Sequence, residues 1–194
     1  EQEPSSAYKA EGENKENLIN VKTSQDYIKD QIKKNDYVTW VSSYFQPRMI
    51  RADFLTMYWL NKELTRINFL TREKALGMGK LDFWEESISQ AYEGYVNKEP
   101  ICIAWADALR RSHLPKILIL RIIAAHKQEL EYPEFPDYMS MEDRAELKRT
   151  SLMLLHLKMM RMNFKDHPEL LEAARFAGKS IGILSRTMFG HCRL

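Results

Sequence analysis

The chain has 194 residues, of which 44% are hydrophobic and 11% aromatic, enough apolar material for one domain with a sizeable core and too much for a disordered chain. A formal net charge of +2 gives bulk electrostatics no hold on nucleic acid, so no nucleic-acid partner is expected. Two cysteines, Cys102 and Cys192, lie far apart without a CxxC spacing, which argues against a disulfide framework or a zinc site and for a reducing compartment.

Residues 1–22 are polar, with Gly12 and charges of both signs, and predict an extended N-terminal arm ordered only against another surface. The chain starts at Glu1 rather than Met, and its acidic opening is unlike a transit peptide, so any presequence is expected to be removed or to lie outside this sequence. From residue 23 to 194 a single all-α domain is expected. Thr23 or Ser24 caps a helix through Tyr27, Ile28 and Ile32, which continues after a break near Asn35 through Tyr37, Val38, Trp40, Val41 and Phe45.

The stretch from Pro47 to Thr71 predicts a long, largely buried helix. Phe54, Met57, Tyr58, Leu60, Leu64 and Ile67 recur at three- and four-residue steps, and Pro47 suits a first helical turn. The polar positions Asn61, Lys62, Glu63, Thr65, Arg66 and Asn68 are expected to face a cavity between helices. A helix over Glu73 to Val96 follows, with Leu76, Leu81, Trp84, Ile88, Ala91 and Tyr95 at helical spacing and Gly77 and Gly79 loosening its first turns.

Glu99-Pro100 opens the next helix, with Ile103, Ala104, Ala108 and Leu109 inward, ending near Arg110 to Ser112, where positive side chains suit a C-terminus. Pro115 starts another, through Ile122, Ile123 and Leu130, and Pro133 and Pro136 then enforce a loop. Ser140 with Asp143 resembles a capping box for a helix through Leu147, Met153, Leu154, Leu157 and Met160. Pro168 begins the last helix, with Leu171, Ala174, Phe176 and Ile181 inward. No strand, no internal repeat and no apolar run of the ~18 residues that a membrane span requires is found.

The run Asp36-Tyr37, Pro47, Arg51, Lys62-Glu63-Leu64 and Gly77-Met78 leading into Asp82-Phe83-Trp84-Glu85 resembles the squalene/phytoene synthase family, more particularly its mitochondrial branch of the complex I assembly factor six type. The resemblance implies an isoprenoid-synthase-like helical domain. It also implies that the chain is short of the family's C-terminal helices, so the fold is expected to be truncated there. In catalytic members the central helix carries an aspartate-rich motif that holds magnesium against a prenyl diphosphate. Aligned without gaps, the aspartate positions fall on Thr65, Arg66 and Phe69, none of which replaces a carboxylate. The second metal motif falls on residues 178–189: its Gln on Gly182, its Asn on Ser185, its Arg on Met188 and its first Asp on Phe189. Gly178 and Gly182 are expected to permit close helix contact instead.

Magnesium requires oxygen ligands in near-octahedral array, and a guanidinium at a ligand position repels it. The expectation is a non-catalytic protein with no cofactor and no metal. The resemblance implies an assembly factor or accessory subunit of a respiratory-chain complex, most plainly complex I, at the matrix side of the mitochondrial inner membrane. Its partners would be protein subunits of that large mitochondrial complex, with peripheral contact to inner-membrane lipid. Two alternatives stand beside it: a magnesium-dependent prenyl transferase in which Lys62, Glu63, Arg66 and Arg186 meet the diphosphate, and a non-catalytic binder of an isoprenoid or quinone tail.

Other constellations are weaker. His126 and Glu129, at a spacing used by carboxylate-bridged iron sites, lack a second copy and read as an exposed helical pair. His113, His156, His167 and His191 are scattered, and neither a GxSxG elbow nor a phosphate loop is present. Met153, Met159, Met160 and Met162, interleaved with Lys158, Arg161 and Lys165, read as core on one face and solvent on the other, or as an adaptable surface resting on a partner or an anionic leaflet.

Overall fold

The structure, a computed structural model, describes residues 6–164 and 166–189, with side chains described over 20–164 and 166–185. In chain order the helices are α1 (Ser6–Asn35), α2 (Tyr37–Ser43), α3 (Arg51–Leu70), α4 (Lys74–Tyr92), α5 (Pro100–Ser112), α6 (Lys116–Glu131), α7 (Tyr138–Ala145), α8 (Ser151–Met159) and α9 (Pro168–Phe189). A five-residue π-turn, Glu146–Thr150, joins α7 to α8 without a break. The described residues contain no strand, as an all-α chain requires.

Helix α3 is the hub, touching α1, α2, α4, α5, α6 and α8. Its expected apolar face holds: Phe54, Met57, Leu60, Leu64 and Ile67 are buried, and Leu60 and Leu64 are sealed completely. Around it pack Ile28 and Ile32 of α1, Leu81 and Ile88 of α4, Trp105 of α5, Ile122 and Ile123 of α6, and Leu155 of α8. Burial of each such side chain contributes on the order of 1.5–3 kcal/mol.

The start of α3 differs from the sequence expectation. Pro47 sits in a turn closed by Ile50 N–H donating to the Pro47 carbonyl (3.0 Å), and the helix begins at Arg51. Arg51 explains the delay, because its guanidinium donates back to the carbonyls of Tyr44 (3.3 Å) and Gln46 (3.4 Å) and ties the turn down. Asp36 caps α2 by accepting from Thr39 N–H, so the break expected near Asn35 is where it was placed. Asp137, rather than Ser140, caps α7, and Ser140 is the residue whose N–H it receives (2.7 Å).

Helix α1 reaches back to Ser6, so the backbone of residues 6–22 is helical where an extended arm was expected. Ala, Lys and Glu are good helix formers, and polarity alone does not forbid a helix. Ser24 lies inside this helix, where its hydroxyl donates to the Asn20 carbonyl (2.7 Å), and so is not its cap.

The inward face of α9 is also corrected. Leu171, Phe176 and Ile181 are 38%, 72% and 44% exposed, whereas Ala174 and Gly178 are buried. A Cβ on Gly178 would lie 2.6 Å from the backbone nitrogen of Thr150, and one on Gly182 would lie 2.4 Å from the Cβ of Ala145. Helix α9 therefore docks on the π-turn and α7 through absent side chains, as expected of these two glycines. Gly77 has the same role in α4: a Cβ there would stand 2.6 Å from Leu130 Cδ2 of α6.

Candidate functional site

The polar residues of α3 do not form one cavity lining. Of the six, Asn68 alone falls among the buried residues, and Arg66 is exposed, because the stripe facing α1, α5 and α6 is taken by apolar side chains. Lys62 Nζ donates to the Asn35 carbonyl (2.5 Å) and lies 3.6 Å from Asp36 Oδ2, closing the junction of α1 and α2. Arg66 donates to Glu63 one turn back (2.7 Å). Thr65 donates its hydroxyl to the Asn61 carbonyl (2.8 Å), and Phe69 is 61% exposed. Glu63 and Arg66 rim a groove of about 520 Å³ between α3 and α4, walled by Ile67, Leu70, Phe83 and Trp84. Arg186 and Phe189 lie on α9, but their side chains are outside the described residues.

This donor set does not fit a divalent cation. At the three positions where the resemblance places aspartates stand a hydroxyl engaged with backbone, a guanidinium and a phenyl ring. The one neighbouring carboxylate, Glu63, is neutralised by that guanidinium. Lys62 and Arg66, proposed as diphosphate contacts, are occupied with Asn35, Asp36 and Glu63.

Two of the buried polar groups, Asn68 and His126, meet in a cluster elsewhere. His126, read from sequence as half of an exposed pair, is fully buried, because α6 turns that face toward α3 and the π-turn. The Asn68 amide nitrogen donates to the His126 carbonyl (3.1 Å) and to Glu129 Oε2 (3.0 Å) and stands 3.2 Å from His126 Nδ1. Lys148, on the π-turn, donates to the same Glu129 oxygen (3.0 Å). His126 Nε2 has no hydrogen-bond partner among the described residues. Burial pushes the His126 imidazole down to about 3, with Lys148 adding to the shift and Glu129 opposing it. The ring is therefore neutral near pH 7 and holds no exchangeable charge. The cluster is a crosslink of three elements that happens to contain a histidine.

A buried acid, Asp53 at the start of α3, is 2% exposed and is held by Arg111 Nη2 and by the Ser112 hydroxyl (3.3 Å). Arg111 also reaches Asp107 (2.7 Å), to which Gln25 of α1 donates (3.3 Å). Burial raises the Asp53 carboxyl, and Arg111 opposes that rise. This pair anchors α5 to α3. Sequence reasoning paired His126 with Glu129 and turned Asn68 toward a cavity without joining them, and it passed over Asp53, whose available signal was its place on the apolar stripe of α3.

The methionines divide as core on one face: Met159 is sealed, Met153 packs on the core, and Met160 is 41% exposed. Cys102 is buried, and burial raises its thiol to about 11, so it is a packing residue rather than a nucleophile. His156 bonds Gln46 across Nε2 (2.8 Å) and packs against Phe54 and Tyr58. Among the described residues no three His, Cys, Asp or Glu side chains converge, and no helix is long and apolar enough to cross a membrane.

Comparison with known proteins places this geometry in a family context. Residues 32–185 match squalene/phytoene synthase. The chain is 27% identical over 160 residues to the NADH dehydrogenase (ubiquinone) complex I assembly factor 6 of Bos taurus, covering 82% of this chain and 47% of that protein. It is 25% identical, with the same coverage, to that of Homo sapiens. A homolog of the same factor in Dictyostelium discoideum is 27% identical over 105 residues, 54% of this chain and 29% of that one. These relatives are named as assembly factors, not as synthases. The chain spans about half the length of the mammalian relatives it matches, and no solved structure matches it.

Proposed function

The chain belongs to the squalene/phytoene synthase family, and on that footing we propose that it is a non-catalytic member serving as an assembly factor or accessory subunit of a mitochondrial respiratory complex, complex I first among them. The observation that carries the inactivity is Arg66: a cation paired to Glu63 at 2.7 Å occupies a position where the family's chemistry uses a carboxylate, with Phe69 at another. Neutralising diphosphate charge is not polarising a leaving group, and nothing at Thr65, Arg66 or Phe69 holds a hard cation. The names of the relatives support the partner, the subunits of complex I; a place at the matrix side of the mitochondrial inner membrane is part of the same proposal.

The test has two arms. Purified protein incubated with magnesium and farnesyl or geranylgeranyl diphosphate is expected to release no product; metal-dependent turnover would end the pseudoenzyme reading. On native gels of solubilised mitochondria the chain is expected to migrate with a respiratory complex or its assembly intermediate, and migration alone would end the subunit reading.

The apolar groove beside Arg66 favours a second reading, a non-catalytic binder of an isoprenoid or quinone tail. Mass spectrometry of lipid extracted from the isolated protein decides it, since an empty groove on extraction rejects it.

A further inference from the structure

Helix α2 is built inside out. An ordinary surface helix turns its apolar stripe to the core and its polar face to water. Here Tyr37, Val38, Val41, Tyr44 and Phe45 fall on one side of the helix and its closing turn, and that side points outward. Tyr37 is 70% exposed, Val38 76%, Phe45 84% and the nearby Met49 76%. The opposite side carries Ser43, which is fully buried with its hydroxyl donating to the Trp40 carbonyl (2.7 Å), and the half-covered Thr39 and Trp40.

The surround of this patch is basic. Lys29, Lys33 and Lys34 close α1, and Arg48 and Arg51 follow on the other side. Lys29 lies over the ring of Trp40 (5.8 Å) and Arg51 over that of Tyr44 (5.1 Å), so two of these cations are held at the edge of the aromatic face. The acids of the same stretch are Asp26, Asp30 and Asp36, and Asp36 is engaged by Thr39 N–H and Lys62.

We propose that the outward face of α2, with its basic surround, is a docking surface for an anionic lipid bilayer. Exposed Val, Phe and Met enter the acyl boundary, tyrosine hydroxyls stay at headgroup level, and lysines and arginines meet the headgroup charge. Charge selects this occupant: a groove on a protein partner needs the apolar contact alone, whereas the exposed cations that flank α2 in sequence, with Lys29 and Arg51 held against its rings, match a continuous negative surface. The surface differs from the methionine cluster of α8, whose larger part is core. The inference deepens the proposed role at a membrane-bound complex and rests on it only for which membrane is met.

The test is flotation of the full chain with vesicles of phosphatidylcholine, alone or mixed with phosphatidylglycerol, beside the double variants Val38→Asp/Phe45→Asp and Lys33→Glu/Lys34→Glu. All the replaced side chains are exposed, and circular dichroism checks that each variant keeps its helices. The chain is expected to float with the anionic vesicles and much less with neutral ones, and both variants are expected to lose partitioning at least ~10-fold. No flotation, equal flotation of the variants, or indifference to phosphatidylglycerol overturns the proposal. So does loss of co-migration with a respiratory complex in detergent by Val38→Asp/Phe45→Asp without any vesicle binding, which assigns the face to a protein partner. A chain that floats but never co-migrates keeps this surface and rejects the assembly role.

Discussion

His126 shows how one side chain can look functional in sequence and prove structural in space. Its spacing from Glu129 is visible in the sequence, but Asn68 and Lys148, which complete the cluster, lie 58 and 22 residues away on other elements. The imidazole stands at about 3 in the folded chain against an ordinary 6.5, a ceiling on the order of 5 kcal/mol if realised in full. A histidine with a depressed folded value contributes stability that is complete above pH 6.5 and lost as pH falls from there toward 3, since the unfolded chain binds the proton first. Denaturant midpoints are therefore expected to fall between pH 7 and pH 4, and His126→Gln to flatten that slope whatever its own stability. An unchanged slope in the variant would mean that other groups carry the acid sensitivity.

At the level of elements, prolines and glycines told different amounts. Pro100 and Pro168 open helices where the sequence placed them, because a missing N–H costs nothing in a first turn. Pro47 has the same chemistry but sits before Arg51, whose bonds to two carbonyls stabilise a turn there; that long-range use of a side chain has no local signature. The inward face of α9 was misjudged by equating apolar with buried, when backbone proximity was what the packing required. Gly178→Ala puts a methyl 2.6 Å from the Thr150 backbone nitrogen, which cannot yield like a side-chain tip. Thermal unfolding is expected to report a loss of about 1–3 kcal/mol. Gly79→Ala, with nothing within 4 Å, is the control and is expected to gain up to ~1 kcal/mol of helix stability.

For the whole molecule, the fold class was legible because periodicity and helix-forming composition act everywhere at once, and the proposed inactivity rests on residue identity at Thr65, Arg66 and Phe69. The outward face of α2 was not legible, since an apolar helix reads alike whichever way it is turned. A protein that binds magnesium only when folded gains stability from it by mass action. The proposed inactivity thus predicts that millimolar magnesium, or a chelator, leaves the melting temperature unmoved, and a rise with added metal would contradict it. One further consequence comes from the π-turn at Glu146–Thr150. Each residue added to a continuous helix advances whatever follows by about 100°, so this widened turn sets the azimuth at which Leu152, Leu155 and Met159 enter the core. A single-residue deletion there would swing all of α8 by more than a quarter of a revolution, whereas the proline-bounded loop before α7 has no such leverage; small changes of chain length are tolerable in one place and ruinous a dozen residues later.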